Sequence, residues 1–173
     1  TKSRRRASTR MSAYPSANGI WNSLYDGIGS CNMAISLANK APFKTEAERN
    51  VKVAEARFLR AIYYFNAVEQ FGGVTMITEP ASSMNFAPTR TEPLTIYKEI
   101  IIPDLEFAVE WLDKGNDATT TQPTKKAALG MLAKVCLQTK EYATDEYIPE
   151  ALDAAKKLIT DCAGFLIGTE LPV

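Results

Sequence analysis

Histidine is absent from this chain, so the side chains left to do chemistry are carboxylates, three cysteines, and arginines set among aromatic residues. Without imidazole there is no Ser-His or Cys-His nucleophile pair, and the usual general base and the commonest transition-metal ligand are missing too. Acid–base work by paired carboxylates needs no histidine. Asp104 with Glu106, and Asp145 with Glu146, have no spacing that singles them out, and they read as helix-terminal or solvated charges. Cys31, Cys136 and Cys162 stand far apart, each on or near an apolar stripe, and read as small buried hydrophobes. No catalytic residue, metal site or cofactor is expected.

Arg57 and Arg60 could reach a carboxylate on a ligand, and Tyr63 and Tyr64 could stack on sugar faces. All four sit in the middle of one helical segment, which gives the structural reading more weight. Arginines flanking a buried stripe satisfy helix ends or a neighbouring acid, and tyrosines there fill the core. Trp21 reads as a packing anchor for the same reason. Ligand contacts are better sought on loops that a rigid scaffold presents. Tyr14 and Asn18 before the first helix, and Asn85, Phe86 and Arg90 after a pair of glycines, combine stacking and hydrogen bonding suited to polyols. These five are the candidate ligand-binding residues.

The elements that must position them are helical almost throughout. Apolar residues at Ile20, Trp21, Leu24, Tyr25, Ile28, Cys31 and Ile35 predict a first helix over Ile20 to Asn39, with Asn18 as cap and Pro42 beyond its end. Thr45 followed by Glu48 is a capping-box pattern, in which the hydroxyl accepts from a backbone N–H and the carboxylate returns to the cap residue's own N–H. The second helix runs from there to Phe71, with Ala54, Phe58, Ala61, Ile62, Phe65 and Val68 on one stripe. Leu59 and Tyr63 fall on another side and Tyr64 and Phe71 on a third, so the helix is expected to be central. Gly72 fits a left-handed stop, and Gly73 lets the chain turn into a short strand, Val74 to Ile77.

A loop from Thr78 to Thr91 precedes a third helix, from Glu92 or Pro93 to Leu112, in which Pro103 predicts a kink or break. After a polar linker, Pro123 fits the first turn of a fourth helix reaching Thr139, whose small residues Ala127, Ala128, Gly130 and Ala133 permit close packing. A fifth helix, from Asp145 or Pro149 to Cys162, buries Ala151, Leu152, Ala155, Leu158 and Ile159 and stops at Gly164. A further short strand is possible after Phe165. Amphipathic pairs of this kind expose an apolar side until neighbours stack on it, which predicts an all-α, tetratricopeptide-like array with at most short strands.

The chain has 173 residues, with 20 basic and 20 acidic side chains. Lys2, Arg4, Arg5, Arg6 and Arg10 all precede the first acid, Asp26, which leaves 15 basic against 20 acidic side chains in the body. A mildly acidic body disfavours nucleic acid as a partner. Residues 1–17 are expected to form a basic, disordered segment, ahead of one helical domain over 18–173. No run of residues has the length and apolarity of a signal peptide or membrane span.

The segment AEARFLRAIYYFNAVEQFGGVTMI resembles the hallmark of the SusD/RagB family, at Glu55, Ala56, Arg57, Phe58, Leu59, Arg60, Ala61, Tyr64, Phe71, Gly72 and Gly73. Trp21, Tyr25, Ile28 and Asn32 resemble the family's preceding helix. Arg90, Tyr97, Ile100, Asp104, Leu105 and Ala108 resemble the following one, and Thr124, Lys125, Ala127, Ala128, Leu132, Ala133 and Leu137 a later one. The resemblance implies a SusD-like superhelix of helix pairs and a non-catalytic nutrient-binding protein. Such a protein is a lipoprotein on the outer membrane of Bacteroidetes-type bacteria, binding starch-like or other oligosaccharides, or peptides, for a SusC-type TonB-dependent transporter. It implies structural roles for Glu55, Arg57, Phe58, Arg60, Tyr64, Gly72 and Gly73. Family members are usually longer, so the chain is expected to be the N-terminal helical portion of such a protein, without the lipid-anchoring cysteine. A helical scaffold that binds another protein is the alternative.

Overall fold

The computed structural model describes residues 15–80, 89–113, 121–139, 149 and 152–157. Outside them lie the basic tail with Tyr14, the pair Asn85 and Phe86, Asp145 and Glu146, and Cys162 with all that follows it. The described chain is a row of helices. Helix α1 spans Pro15–Lys40 and α2 Glu46–Phe71. After them come a two-residue strand β1, Val74–Thr75, and β2, Arg90–Thr91, paired antiparallel with Val74 opposite Thr91. Helix α3, Pro93–Ile96, passes through a π-helical stretch at Tyr97–Ile101 into α4, Ile102–Trp111, and α5 spans Lys125–Gln138. The chain is also helical over 152–157. Helix α1 lies along α2, α2 along α4 and α4 along α5, which is the all-α, tetratricopeptide-like stacking that the periodicity predicts.

Helix α2 is central because two of its stripes are buried at once. Ala54, Phe58, Ala61, Phe65 and Val68 form one, and Val53, Ala56, Arg60, Tyr64, Ala67 and Phe71 the other, while Leu59 points outward at 42% exposure. On the first side Phe65 meets Tyr97 edge-on, with ring centroids 6.4 Å apart. On the second, Trp21 of α1 packs against Tyr25 at 4.6 Å and edge-on against Phe71 at 5.1 Å. The helices α1 and α2 approach closely where Gly27 faces the Tyr63 ring; a Cβ there would lie 2.5 Å from the ring.

Several boundaries differ from the sequence reading. Helix α1 begins at Pro15, a residue whose fixed φ suits a first turn, so Asn18 is a helical residue and not a cap, and the helix reaches into the segment expected to be disordered. Thr45 accepts from Glu48 N at 3.2 Å, but the Glu48 carboxylate returns to Lys44 N at 3.2 Å, one residue before the expected cap amide. Gly72 has φ +75° but ψ −132°, outside the left-handed helical well. The strand after it stops at Thr75, short of Ile77, and its partner β2 lies where the sequence predicts a loop.

The α-helix is interrupted just before Pro103, as that residue predicts, but the chain stays helical through the interruption. Lacking an N–H, Pro103 cannot complete the bond to Glu99 O, and the turn before it widens instead, so that Ile102 N bonds to Tyr97 O, five residues back. Pro123 stands outside α5, because Thr124 is the cap, accepting from Ala127 N at 3.2 Å. In the last helical segment Ala154 is buried and Leu152 is 54% exposed, the reverse of the expected face for Leu152.

Candidate functional site

The exit of α2 is held by side chains rather than by a sheet, and this is where the polar groups of the core converge. Tyr64, fully buried, places its hydroxyl against Ile77 so that it donates to Ile77 O at 2.8 Å and accepts from Ile77 N at 2.7 Å. Tyr25 of α1 donates to Thr75 O at 2.7 Å, and the Asn32 amide donates to Ile77 O at 2.9 Å and to Glu79 O at 3.4 Å. Backbone groups withdrawn from water must find partners, and these three side chains supply some along residues 75–79, where only Thr75 belongs to a strand.

Asn32 is itself oriented by a buried charge cluster. Arg60 donates to Asn32 Oδ1 at 2.9 Å and grips Asp104 with two bonds, Nε to Oδ2 at 2.7 Å and Nη2 to Oδ1 at 2.9 Å. The paired fork fixes the planes of both groups, which a lysine could not do. Asp104 lies in the first turn of α4, as a helix-terminal charge would, but it is only 3% exposed and is not solvated. The missed signal was its place among Ile101, Leu105 and Ala108 on the buried face, opposite an arginine embedded in the inner stripe of α2. Burial pushes the Asp104 carboxyl above its ordinary value, while the bonds and charge of Arg60 and the charge of Arg57 pull the other way. Arg57 stands near the same carboxylate, with Nε 3.7 Å from Oδ1 and its guanidinium carbon 4.3 Å from the Phe107 ring centroid.

Desolvation also pushes the Tyr25 hydroxyl up to about 12, and the Tyr64 hydroxyl still higher. It raises the Cys31 thiol beside the cluster; Cys31 and Cys136 are both buried. The two hydroxyls position the backbone at Thr75 and Ile77, and with pKa values raised this far they do not exchange protons near neutrality. Among the described residues no three His, Cys, Asp or Glu side chains gather to hold a metal, and no helix is long and apolar enough to cross a membrane.

Of the candidate ligand residues, Asn18 is exposed on α1 and Arg90 lies on β2. Arg90 closes the α2 terminus, donating from Nε to Gly73 O at 2.6 Å and from Nη2 to Phe71 O at 2.7 Å. Gly73 allows this approach, since a Cβ there would lie 2.6 Å from Thr91 O. The structure therefore unites Arg90 with Gly72 and Gly73, and Arg60 with Asn32 and Asp104. It leaves Glu55 on the outer side of α2, paired with Lys52 at 2.8 Å.

Residues 5–137 match the protein family described as SusD-like, starch-binding and associating with the outer membrane. A curated relative, SusD-like protein P2 of Formosa agariphila, is 33% identical over 128 residues, which is 72% of this chain and 25% of that protein. A solved SusD superfamily protein from Parabacteroides distasonis is 32% identical with a TM-score of 0.75, covering 82% of this chain and 31% of that one. A structure described as a laminarin-binding SusD-like protein has a TM-score of 0.68 at 28% identity, over 80% and 29% of the two chains. The chain thus spans about a quarter of the length of that curated relative and less than a third of each structure.

Proposed function

The chain belongs to the SusD-like family, described as starch-binding in association with the outer membrane, and from that premise we propose that it serves glycan capture at the bacterial cell surface. In this reading it forms the helical part of a surface lipoprotein, binds an oligosaccharide without chemical change, and passes it to a SusC-type TonB-dependent transporter. Peptide is the lesser ligand class. The observation that carries the reading is the shared helical row with a laminarin-binding protein of the same family.

The internal chemistry supports a binding role. Both oxygens of the one carboxylate buried among the described helices are held by Arg60, and the Tyr25 and Tyr64 hydroxyls serve the backbone. Such a frame is spent on holding the exit of α2 in place, which suits preorganised recognition. Tyr14, Asn18, Asn85, Phe86 and Arg90 remain the proposed contacts, with Arg90 also fixing the glycine turn. Titration calorimetry of the protein with laminari- and malto-oligosaccharides and with short peptides tests the proposal. Saturable heat with one sugar series supports it, and silence across all of them overturns it.

A further inference from the structure

The charge cluster has one cation too many. Arg60 bonds to both oxygens of Asp104 and matches its single charge, so Arg57 shares a carboxylate that another guanidinium already holds. Arg57 Nε is buried without a hydrogen-bond partner, and its 3.7 Å separation from Asp104 Oδ1 is too long for one. The guanidinium nevertheless has a defined seat on the Phe107 ring, at 4.3 Å, and about a third of the side chain, 32%, is exposed. Trp111 follows Phe107 on the same side of α4, with ring centroids 6.2 Å apart, and both rings are half-buried. A planar cation held against an aromatic ring, with its Nε buried and its one nearby carboxylate shared with Arg60, is preorganised for a planar anion at its outer edge.

We propose that the outer edge of the Arg57 guanidinium, seated on Phe107 beside Trp111, receives one carboxylate, free or carried on a sugar. The sugar-borne case deepens the glycan reading and rests on it, whereas the free carboxylate does not. Stacking already occupies one face of Phe107, so the sugar is recognised here through its acid group, and a neutral hexose has nothing to offer the site.

The test follows the Arg57 Nε–H resonance by NMR, assigned by its disappearance in Arg57→Lys, during titration with sodium acetate, D-glucuronate, D-glucose and sodium chloride. A saturable shift with acetate and glucuronate, absent with glucose and chloride, is the expected result. Trp111 indole resonances, read in Arg57→Lys and in Arg57→Gln, then show binding weakened by about tenfold or more, because the lysine keeps the charge but not the fork. A shift with acetate alone supports the site and rejects the sugar as its source. An equal response to chloride, or no response to either carboxylate, overturns the inference. Laminari-oligosaccharides added to the same sample read the glycan proposal separately, since their binding can persist when both carboxylates are silent.

Discussion

The two ends of α2 are closed by opposite means. At its start, Thr45 and Glu48 bond to amides three and four residues away, and all the groups involved are exposed. At its exit, the partners come from Arg90 on β2, from Tyr25 and Asn32 on α1, and through Asn32 from Arg60 and Asp104. One end is written in consecutive residues and the other is assembled from the fold. The difference teaches that helix α2 begins by local rule but is joined to the following segment only when its neighbours are in place.

The largest break in that contrast is expected at Asp104. Asp104→Asn leaves Arg60 buried without its counter-charge and should cost about 3–5 kcal/mol, read as a lowered urea midpoint. Combining Arg60→Met with Asp104→Leu should cost far less than the two single changes together, because no uncompensated charge remains. Additive costs would show that the pair is not a unit and that the exit is held some other way.

Steric and hydrogen-bond changes at the exit come next. Gly73→Ala drives a methyl against Thr91 O, and a cost of about 1–3 kcal/mol is expected from forcing strand β2 away. Tyr64→Phe strips the Ile77 N–H of its acceptor and leaves Ile77 O to Asn32 alone, at about 1–3 kcal/mol. The same hydroxyls set an alkaline limit. Burial raises the tyrosines above their ordinary value of about 10, so the unfolded chain gives up these protons first. Stability from Tyr25 is then intact below pH ~10 and is lost as pH rises through about 12. Circular dichroism alongside phenolate absorbance should show unfolding and ionisation together, and ionisation without unfolding would mean that the exit does not depend on these bonds.

This division also explains what could be read from the sequence. Helical periodicity and caps are local, and they located α2, its stop at Gly72 and the stacked all-α class. The family resemblance, in the hallmark for Arg60 and Tyr64 and in the flanking helices for Asn32 and Asp104, draws attention to these residues without saying that three of them touch. Burial of Asp104 is not legible, because a carboxylate three residues from a neighbouring apolar position looks the same whether its face meets water or an arginine from another helix. Strand β2 was missed because two residues carry no alternation. The π-helical stretch was missed because Pro103 announces a lost bond but not how the preceding turn absorbs it.

The start of α2 should answer on a smaller scale. Thr45→Ala removes the acceptor for Glu48 N and is expected to cost about 1 kcal/mol. Since the cap is exposed, the cost should appear mainly as fraying of the first turn, seen as faster amide exchange over residues 46–50 with little change beyond Tyr64. A loss that spread to the exit would mean that the two ends are coupled.

The smallest change isolates charge from hydrogen bonding. Glu48→Gln retains an oxygen that can accept from Lys44 N but removes a negative charge from the helix N-terminus, where aligned backbone dipoles favour it by about 0.3–1 kcal/mol. At an exposed site that increment is screened, so it should shrink as salt is raised until the Debye length falls to a few ångströms, about 3 Å at 1 M. The cost of Asp104→Asn, by contrast, should persist in the same salt series, because ions do not enter the contact with Arg60. If both costs faded together, Asp104 would be solvated after all; if neither did, Glu48 would be acting through shape alone. Only a salt-sensitive start and a salt-resistant exit agree with a helix that is opened by its own sequence and closed by its neighbours.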